Sequence, residues 1–509
     1  MRKSMRLFKE SAVKLRIAVV MLWSVNIAMA QINNPFSEPI QKQGLSVEIR
    51  QLTQLPDTSG MYSAEKDRLY AAIARIGFVR ELSDGRRFVN DARGQLYFLE
   101  NGTESLLYLN MAERFPNTGY LDLQSGFIGF DFHPDFLTNG LFYTIHLENR
   151  AADSPSPDFV PPGFTAADAP YHSVITEWRA DDPSAPMFSG SQREIFRGGQ
   201  VVNSFFHPFG FVGFNPTSEP GDPDYALLYT SGSDLGFSNG GGPNSVNPGQ
   251  LQRLDTLTGA ILRIDPRSPA ETGGEKGMGD YTIPAINLYA RDGDPATFGE
   301  IYAHGFRNAH RLSWDYSDGT MFAADIGMSQ VEEINIVVEG HNYGWMQREG
   351  IFDNAVNYPE GGLGLVYSLA DEILNGEVND GFTYPVAMYD HTEGLAVTAG
   401  FAYRGSAPAL QGKFIFGDIQ RGRLFAADLA ELKAADDGIP STVAAIEEIQ
   451  LYQVDANGVR SDVDFWALIE AVKGESISRA DLQISEGRDG VIFITSRQDG
   501  VIRVLGSAE

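Results

Sequence analysis

Cysteine is absent from the 509-residue chain, and positive charge and long apolar runs are scarce. Without cysteine the chain has no disulfides, zinc–thiolate sites, iron–sulfur clusters or covalently attached c-type haem. Lys and Arg together number 39 against 67 Asp and Glu, which gives a formal net charge of −28. Because such a surface repels nucleic acid and anionic membranes, we expect neither as a partner.

The first thirty residues differ from the rest of the chain. A basic stretch, MRKSMRLFKESAVKLR, is followed by an apolar stretch and by AMA before Gln31. This pattern is typical of a secretory signal peptide and predicts cleavage after Ala30, hence a periplasmic or secreted protein. An N-terminal membrane anchor is the alternative. No later segment has the length and apolarity that a bilayer span needs.

After residue 80, short β-rich runs are separated by Gly, Asp, Asn and Pro, which predicts an all-β protein. A loose repeat is visible, in which an apolar run, a turn, a strand with Tyr or Phe and a closing strand follow one another. The six copies begin with the segments 77–102, 126–150, 210–232, 305–327, 399–418 and 482–496. Units of about four short strands predict a six-bladed β-propeller with long loops over one face. A β-sandwich or two separate β domains are the alternatives.

These observations divide the chain into a signal peptide (1–30), an N-terminal extension (31–76) and the propeller domain (77–509). The run LSVEIRQL (45–52) is expected to complete the last blade and close the ring. Long segments interrupt the repeat, and one of them is partly helical: 151–171, 235–252, 350–385 and 430–475. Because loops of this length are often functional, we expect them to shape a ligand cleft at the channel mouth.

Polar residues stand where three of the repeat units begin. His207, in FFHPFGF, could act as a general base on a hydroxyl, or it could be a structural histidine. Arg307 and Asn308, in GFRNAHR, suit bidentate capture of carboxylates, but such a pair can also cap a turn. Gln124, in LQSGFIGF, occupies the matching position and on its own indicates only a turn.

The segment DIGMSQVEEIN (325–335) places two adjacent glutamates ahead of an apolar run. Neighbouring strand residues point to opposite faces, so Glu332 and Glu333 cannot both be ordinary surface charges if one face is buried. The turn at Gly327 and Met328 leaves carbonyl oxygens free to bind a cation. The oxygens that could enclose a hard cation are the Glu333 and Asp353 carboxylates and the Tyr343 and Glu349 carbonyls. Calcium takes about 6–8 such oxygens. The alternative is two surface glutamates, one of them at a sheet edge.

Five pieces occur in a fixed order from about residue 77 to the end: QSGFIGFDFHPDF, TGAILRIDP, IYAHGFRNAHRLSWD, the DIG…EEIN…NYGW run and the AYRG…LQGKFIFGD…RGRLF block. Together they resemble the soluble pyrroloquinoline quinone (PQQ)-dependent aldose sugar dehydrogenases of the glucose/sorbosone dehydrogenase family. The resemblance implies oxidation of an aldose or related alcohol by hydride transfer to calcium-bound PQQ. Electrons would then pass to an external acceptor, a cytochrome or a quinone.

The same resemblance implies a role for each candidate residue. His207 matches the catalytic base that takes the proton of the substrate's C1 hydroxyl. The remaining matches are Gln124, Arg307 and Asn308 to cofactor-binding positions, Gly327 and Met328 to the carbonyls of the active-site calcium, and Glu333, Tyr343 and Asp353 to a second, structural calcium site. A calcium ion at that second site would account for a glutamate that points inward.

The chain departs from the family pattern at several of these positions. Phe206 and Pro208 flank His207 where the family has Asp and Gln, so no orienting carboxylate is expected beside the base. Gln420 stands where the family has a cofactor-binding Lys, and Arg479 alone represents a pair of arginines. Two alternatives therefore stay open: a non-catalytic ligand- or protein-binding propeller, and a calcium-dependent propeller hydrolase such as a lactonase.

Overall fold

The structure, a computed structural model, describes residues 31–115, 121–201, 207–236, 251–290, 292–355, 365–488 and 490–506. The expected signal peptide, Phe206, and large parts of the 235–252 and 350–385 segments lie outside these residues. Within the described ranges, no helix is both long and apolar enough to cross a membrane.

The fold is mostly β, as the sequence predicts, and its strands are short and rich in β-branched and aromatic residues. The strands IFITS (492–496) and VIRVL (501–505) are buried at every position. Strands covered on both faces are expected to read as such nearly continuous apolar runs.

The first half of the chain begins with two strands that join later sheets and then builds three sheets in sequence order. The initial strands are β1 (Gln31–Ile32) and β2 (Ser46–Gln54). Sheet 1 contains β3 (Ile76–Glu81), β4 (Arg87–Asp91), β5 (Gln95–Glu100) and β6 (Glu104–Asn110). Sheet 2 contains β7 (Phe127–Phe132), β8 (Leu141–Asn149), β9 (Tyr171–Ala180) and β10 (Gly190–Gln200). Sheet 3 contains β11 (Val212–Phe214), β12 (Leu228–Gly232), β13 (Ala260–Ile264) and, after the hairpin of β14 (Glu275–Lys276) and β15 (Thr282–Ile283), β16 (Ile301–His304).

The second half repeats this arrangement. Sheet 4 contains β17 (Arg311–Trp314), β18 (Met321–Asp325), β19 (Val331–Ile336) and, after β20 (Arg348–Glu349), β21 (Phe352–Asn354) and β22 (Val366–Tyr367), β23 (Ala387–Asp390). Sheet 5 contains β24 (Phe401–Ala402), β25 (Lys413–Gly417), β26 (Leu424–Asp428) and β27 (Ile446–Glu448). The last strands are β28 (Gln450–Val454), β29 (Arg460–Val463), β30 (Leu482–Glu486), β31 (Ile492–Ser496) and β32 (Val501–Leu505).

Sheet 6 joins the two ends of the chain. Its strand order is β29-β28-β2-β32-β31-β30, and β2 pairs antiparallel with β32, with Ile49 opposite Leu505. The run expected at 45–52 therefore lies beside the final strand of the chain. A smaller sheet, in the order β1-β22-β21-β20, lies outside the repeat.

The first strands of several sheets contact one another across the sheets, and we call these first strands the inner strands. β3 packs against β30 and β7, β7 packs against β11, and β17 packs against β24. Sheets 3 and 4 meet through the rings of Phe211 and Trp314, whose centroids are 6.5 Å apart. The inner strands thus surround a common centre lined by aromatic side chains.

Helices are short connectors between strands. They are α1 (Met111–Arg114), α2 (Phe136–Asn139), α3 (Pro269–Thr272), α4 (Asp371–Leu374), α5 (Leu429–Ala435) and α6 (Phe465–Lys473). The last two lie in the 430–475 region, where the sequence predicts partly helical structure. α6 begins after Asp464, whose carboxylate accepts from Ala467 N, and ends at Gly474 in the left-handed conformation.

Candidate functional site

A cavity of about 200 Å³ lies at one end of the inner strands. The residues predicted from sequence that line it are Gln124, His207, Arg307, Asn308, Gly327, Met328, Gln420 and Arg479. Residues as far apart in the chain as Gln124 and Arg479 thus come together.

The connections between strands explain this convergence. Gln124 precedes β7, His207 precedes β11, and Arg307 precedes β17, so each lies where an inner strand begins. Gly327 follows β18 and Gln420 follows β25, the second strands of their sheets, which run antiparallel to the first. An antiparallel second strand ends where the first begins, so both kinds of connection lie at the same end of the sheets.

His207 is held by a carboxylate that the sequence analysis missed. Its Nδ1 lies 2.7 Å from Asp234 Oδ1, and its backbone N–H donates to Gln124 Oε1 at 3.0 Å. The carboxylate can only accept, so His207 carries its proton on Nδ1 and Nε2 keeps a lone pair. Burial lowers the pKa of His207, although Asp234 acts in the opposite direction. The ring is therefore neutral near pH 7 and suited to accept a proton.

Asp234 stays ionised although it is fully buried. Burial alone would raise its pKa, but His207 and Arg307 outweigh burial and the pKa is lowered. Arg307 Nε lies 3.9 Å from Asp234 Oδ2, and Gly236 N donates to Oδ1 at 2.9 Å. Asp234 ends the strand-and-turn segment after β12, 27 positions from His207 in the chain. No local motif could have revealed this pair.

Arg307 and Asn308 are fixed by their backbones. Their amide groups donate to the two carboxylate oxygens of Asp325, at 3.0 and 2.5 Å. The Arg307 guanidinium donates to the carbonyls of Ile326 and Gly327, at 2.9 and 2.6 Å. The Asn308 Nδ2 group is buried without a hydrogen-bond partner among the described residues. It is thus available to a ligand in the cavity.

Two further arginines line the cavity, and the sequence analysis missed both. Arg311 and Arg497 are buried, and neither forms an ion pair within the described part of the chain. Burial lowers the pKa of both, and for Arg311 the nearby Arg497 lowers it further, while Arg497 falls to about 10. Arg311 donates to Gln483 Oε1 at 3.0 Å. These are buried cations that lack an anion.

Two other polar side chains of the cavity, Arg479 and Gln420, are already engaged. Arg479 Nε lies 2.6 Å from Asp481 Oδ1, and Gln420 Nε2 donates to the carbonyl of Leu395 at 3.4 Å. His310 also lines the cavity, and both of its ring nitrogens are buried without a partner in the described ranges. Arg311 and Arg497 therefore add to the single Arg479 that the sequence suggests for this side of the site.

The turn at Gly327 is built by close backbone packing. A Cβ at this position would lie 1.7 Å from the Val331 carbonyl oxygen, so only glycine fits. Glu349 Oε1 accepts from the backbone N–H groups of Met328, Ser329, Gln330 and Val331, at 2.9–3.2 Å. One buried carboxylate thus fixes the turn that presents the carbonyls of Gly327 and Met328.

The residues expected to form a second calcium site do not line this cavity. The carboxylate of Glu333 accepts from Gly350 N at 2.6 Å and from Asn335 Nδ2 at 3.1 Å. Burial raises its pKa, and Asp325 and Glu349 raise it further, so these carboxylates lie near one another. The carboxylate of Asp353 forms an ion pair with Arg348, and Tyr343 Oη donates to the Ile336 carbonyl at 2.6 Å. Within the described residues, no group of three or more His, Asp or Glu side chains has metal-binding geometry.

Both adjacent glutamates lie inside β19 and both are buried. Glu332 accepts from Val397 N at 2.8 Å and lies 2.8 Å from His391 Nε2. The strand is covered on both faces, so each carboxylate meets hydrogen-bond donors rather than solvent. The expectation that the glutamates precede the strand is therefore corrected: the strand begins at Val331.

The cavity combines cationic donors with a neutral histidine. Unpaired buried guanidinium groups and the free Asn308 amide favour a ligand with several carboxylates. The neutral His207, oriented by Asp234, can take a proton from a hydroxyl beside that ligand. These features match the requirements of PQQ. The carbonyls of Gly327 and Met328 supply the kind of oxygen that calcium binds.

Comparisons with known proteins agree with this assignment. Residues 78–455 match the family model described as Glucose / Sorbosone dehydrogenase. HIPL1 protein from Arabidopsis thaliana is 27% identical over 330 residues, which are 59% of this chain and 43% of that protein. Quinoprotein glucose dehydrogenase B from Acinetobacter calcoaceticus is 23% identical over 278 residues, 51% of this chain and 50% of that protein. The chain thus spans about half the length of the curated relatives it matches.

A solved structure shares the fold. The PQQ-bound form of aldose sugar dehydrogenase from Streptomyces coelicolor superposes with a TM-score of 0.50 at 16% identity, covering 91% of this chain and 98% of that one. The family model covers well over half of the chain, from within β3 through β28. The chain therefore belongs to the glucose/sorbosone dehydrogenase family.

Proposed function

We propose that this chain is a PQQ-dependent dehydrogenase that oxidises an aldose sugar or a related alcohol. One observation carries the proposal: the buried His207–Asp234 pair shares a cavity with four arginines, Arg307, Arg311, Arg479 and Arg497. This concentration of positive charge stands out in a chain whose net charge is −28. A polycarboxylate would neutralise it.

Some residues of the cavity are proposed to bind the cofactor, and His207 is proposed to transfer the proton. Arg311, Arg497 and Asn308 would hold the carboxylates and carbonyls of the quinone, because these side chains have no anionic partner among the described residues. Gln124 fixes the backbone of His207 and also lines the cavity. When bound, the quinone would supply the acceptor for the hydride of the carbinol carbon, with calcium at the Gly327 and Met328 carbonyls polarising it.

His207 handles the proton of the substrate hydroxyl. Its Nε2 lone pair accepts this proton, and the imidazolium that forms is stabilised by the Asp234 carboxylate. His207 has φ +54, in the left-handed region that few non-glycine residues occupy. Ser233 Oγ, which donates to the His207 carbonyl, helps to hold that conformation. The base is thus preorganised before substrate arrives.

We also infer that the six sheets are the six blades of a propeller closed by β2. The contacts among the inner strands support this arrangement, as does the pairing of β2 with β32. The predicted signal peptide supports export to the periplasm or the medium. The acceptor for the electrons would then be an external cytochrome or quinone.

A non-catalytic ligand-binding protein is the second candidate. Gln420, which replaces the family's cofactor-binding Lys, already donates to the Leu395 carbonyl, and this favours weaker cofactor binding. The hydrolase alternative has less support. It needs carboxylates around a central metal, whereas among the described lining residues only Asp481 is acidic, and it is paired with Arg479.

The test is a titration of purified protein with PQQ, with calcium or with a chelator, followed by quinone absorption and by dye-linked oxidation of aldoses. We expect saturable binding and calcium-dependent turnover.

Arg497→Gln should weaken PQQ binding about 10–100-fold, because a charge-assisted contact is lost. His207→Ala should abolish turnover with little change in binding, while His341→Ala, at an exposed position, serves as the matched control.

Two results would contradict the proposal. Failure to bind PQQ at micromolar concentration would leave the non-catalytic candidate in its place. Retained turnover in His207→Ala would show that another group removes the proton.

A further inference from the structure

A second and larger cavity, of about 320 Å³, lies at the opposite end of the inner strands. The first cavity lies where β7, β11 and β17 begin, whereas Asp131, Phe214 and Trp314 of the second lie at or near their ends. The ends of β7 are about 17 Å apart, given the rise of a strand. The two cavities are therefore separate sites on opposite sides of the molecule.

Buried side chains close the passage between them. The guanidinium of Arg311 lies 3.9 Å from the ring centroid of Phe78, and the Phe78 ring lies 6.5 Å from that of Phe211. Arg311 lines the first cavity and Phe211 lines the second. Phe78 and Phe211 are almost completely buried. A ligand in one cavity cannot reach the other through this layer.

The second cavity holds a carboxyl group that has no hydrogen-bond partner. Glu486, the last residue of β30, is nine-tenths buried, and its Oε1 is unsatisfied among the described residues. Burial raises the pKa of Glu486 well above its usual value, which Arg80 and Arg404 only partly oppose. A protonated carboxyl can both donate and accept a hydrogen bond. An unsatisfied buried group of this kind favours a ligand that supplies the missing partner.

Unused polar groups surround Glu486. Arg80 uses only its Nε, towards the Phe130 carbonyl at 3.4 Å and Asp131 at 3.6 Å, and its terminal nitrogens have no partner in the described chain. The Trp314 indole N–H and the Tyr316 hydroxyl likewise make no hydrogen bond to described residues. Tyr316 is 39% exposed, at the rim. Donors, acceptors and aromatic faces thus line one small space.

The charge pattern selects among ligands. Both signs of charge line this cavity, because Arg80 and Arg488 are basic and Glu81, Asp131 and Glu219 are acidic. A cation would therefore meet arginines, and an anion would meet carboxylates. A neutral polyol can accept from Arg80 and Trp314, donate to Asp131, and do both with Glu486. The C–H faces of a pyranose ring also suit the electron-rich faces of Trp314 and Tyr316.

We propose that this second cavity is a non-catalytic binding site for a neutral carbohydrate of one or two pyranose rings, with Glu486, Arg80 and Trp314 as its hydrogen-bonding residues. The site does not depend on the quinone or on His207. It would anchor a sugar chain on the face opposite the redox cavity.

The test uses isothermal titration calorimetry with methyl β-D-glucopyranoside and methyl β-maltoside as probes, on the full chain without PQQ. Glu486→Gln keeps a neutral donor and acceptor, so binding should stay within about threefold of wild type. Glu486→Leu removes both and should weaken binding about tenfold or more. Tyr316→Ala should weaken binding about fivefold. Glu104→Gln, at an exposed glutamate that does not line the cavity, is the matched control.

Three results would overturn the proposal. They are the absence of binding at tens of millimolar probe, equal binding by Glu486→Leu and wild type, or loss of binding in Glu486→Gln, which would indicate a cationic ligand. Glu486→Leu removes an unpaired buried carboxyl, so thermal unfolding should show an intact fold. His207→Ala and saturation with PQQ should leave probe binding unchanged, which separates this proposal from that of the redox cavity.

Discussion

The ring of His207 is enclosed by protein and its Nδ1 contacts Asp234. Under the proposed function, this pairing would control how a proton leaves a bound substrate. Burial removes the water that would otherwise stabilise a charged imidazole. The Asp234 carboxylate restores part of that stabilisation at 2.7 Å. The balance leaves a neutral base that becomes charged only when it takes the substrate proton.

At the residue scale, we therefore expect the acid limb of kcat/KM to lie below the usual histidine value of about 6.5. The base must be neutral, and its lowered pKa keeps it neutral at lower pH. Asp234→Asn should reduce kcat about 10²–10⁴-fold, through loss of orientation and charge stabilisation. It should also move the limb to still lower pH, because the carboxylate raises the pKa of His207.

A pH–rate profile of the PQQ-loaded protein checks both parts. Asp153→Asn, at an exposed aspartate, provides the control and should leave the profile unchanged. An acid limb that does not move in Asp234→Asn would show that Asp234 has no electrostatic influence on the base.

Some residues of the candidate site can be predicted from the sequence, and others cannot. His207, Arg307 and Asn308 stand at strand starts within recognisable segments, and the cavity contains all three. Asp234 lies 27 positions from His207, and Arg497 lies 186 positions from Arg311, with the whole of sheet 5 between them. Such partners depend on how sheets meet, which the order of residues alone does not specify.

Among the elements, the turn between β18 and β19 presents the backbone carbonyls that are proposed to bind calcium. The carboxylate of Glu349, at the end of β20, accepts hydrogen bonds from four backbone N–H groups of this turn. Charge-assisted contacts to backbone groups are among the stronger hydrogen bonds in proteins. An element outside the repeat thus fixes the carbonyls of Gly327 and Met328.

We expect Glu349→Ala to lower the free energy of unfolding by about 3 kcal/mol, because four backbone donors, two of them buried and two half-buried, lose their acceptor. It should also weaken calcium-dependent PQQ binding, since the turn loses its anchor. Urea unfolding and a quinone titration measure these effects. Glu475→Ala, at an exposed glutamate, should change stability by less than about 0.5 kcal/mol. Equal stability of Glu349→Ala and wild type would remove this role from Glu349.

Strand boundaries follow the sequence well where the repeat is regular and less well where polar residues are buried. The apolar runs predict β25, β31 and β32 directly. At β19, the two glutamates make the strand look shorter than it is, because buried carboxylates normally lie outside strands. Donors from Gly350 and Val397, which come from other elements, make their burial possible.

For the whole molecule, closure by β2 joins residues near both ends of the chain. Ile49 is fully buried in a cluster with Leu505, Ile494 and other residues of sheet 6. We expect Ile49→Ala to reduce the free energy of unfolding by about 2–5 kcal/mol, through lost burial and an unfilled cavity. Urea denaturation gives the value. Gln51→Ala, at an exposed position of the same strand, should leave the free energy of unfolding nearly unchanged. An equally small effect of Ile49→Ala would show that β2 is not part of the cooperative core.

The layer of Phe78, Phe211 and Arg311 limits the route by which a ligand can enter and leave the first cavity. Because this layer of buried side chains lies between the two cavities, under the proposed function a sugar would enter the first cavity, and its oxidised product would leave, by the same opening. A bulky substituent on the sugar would therefore have to project back into solvent on that side. The electrons would also have to leave through this opening. The external electron acceptor and the departing product would therefore compete for the same opening of the cavity.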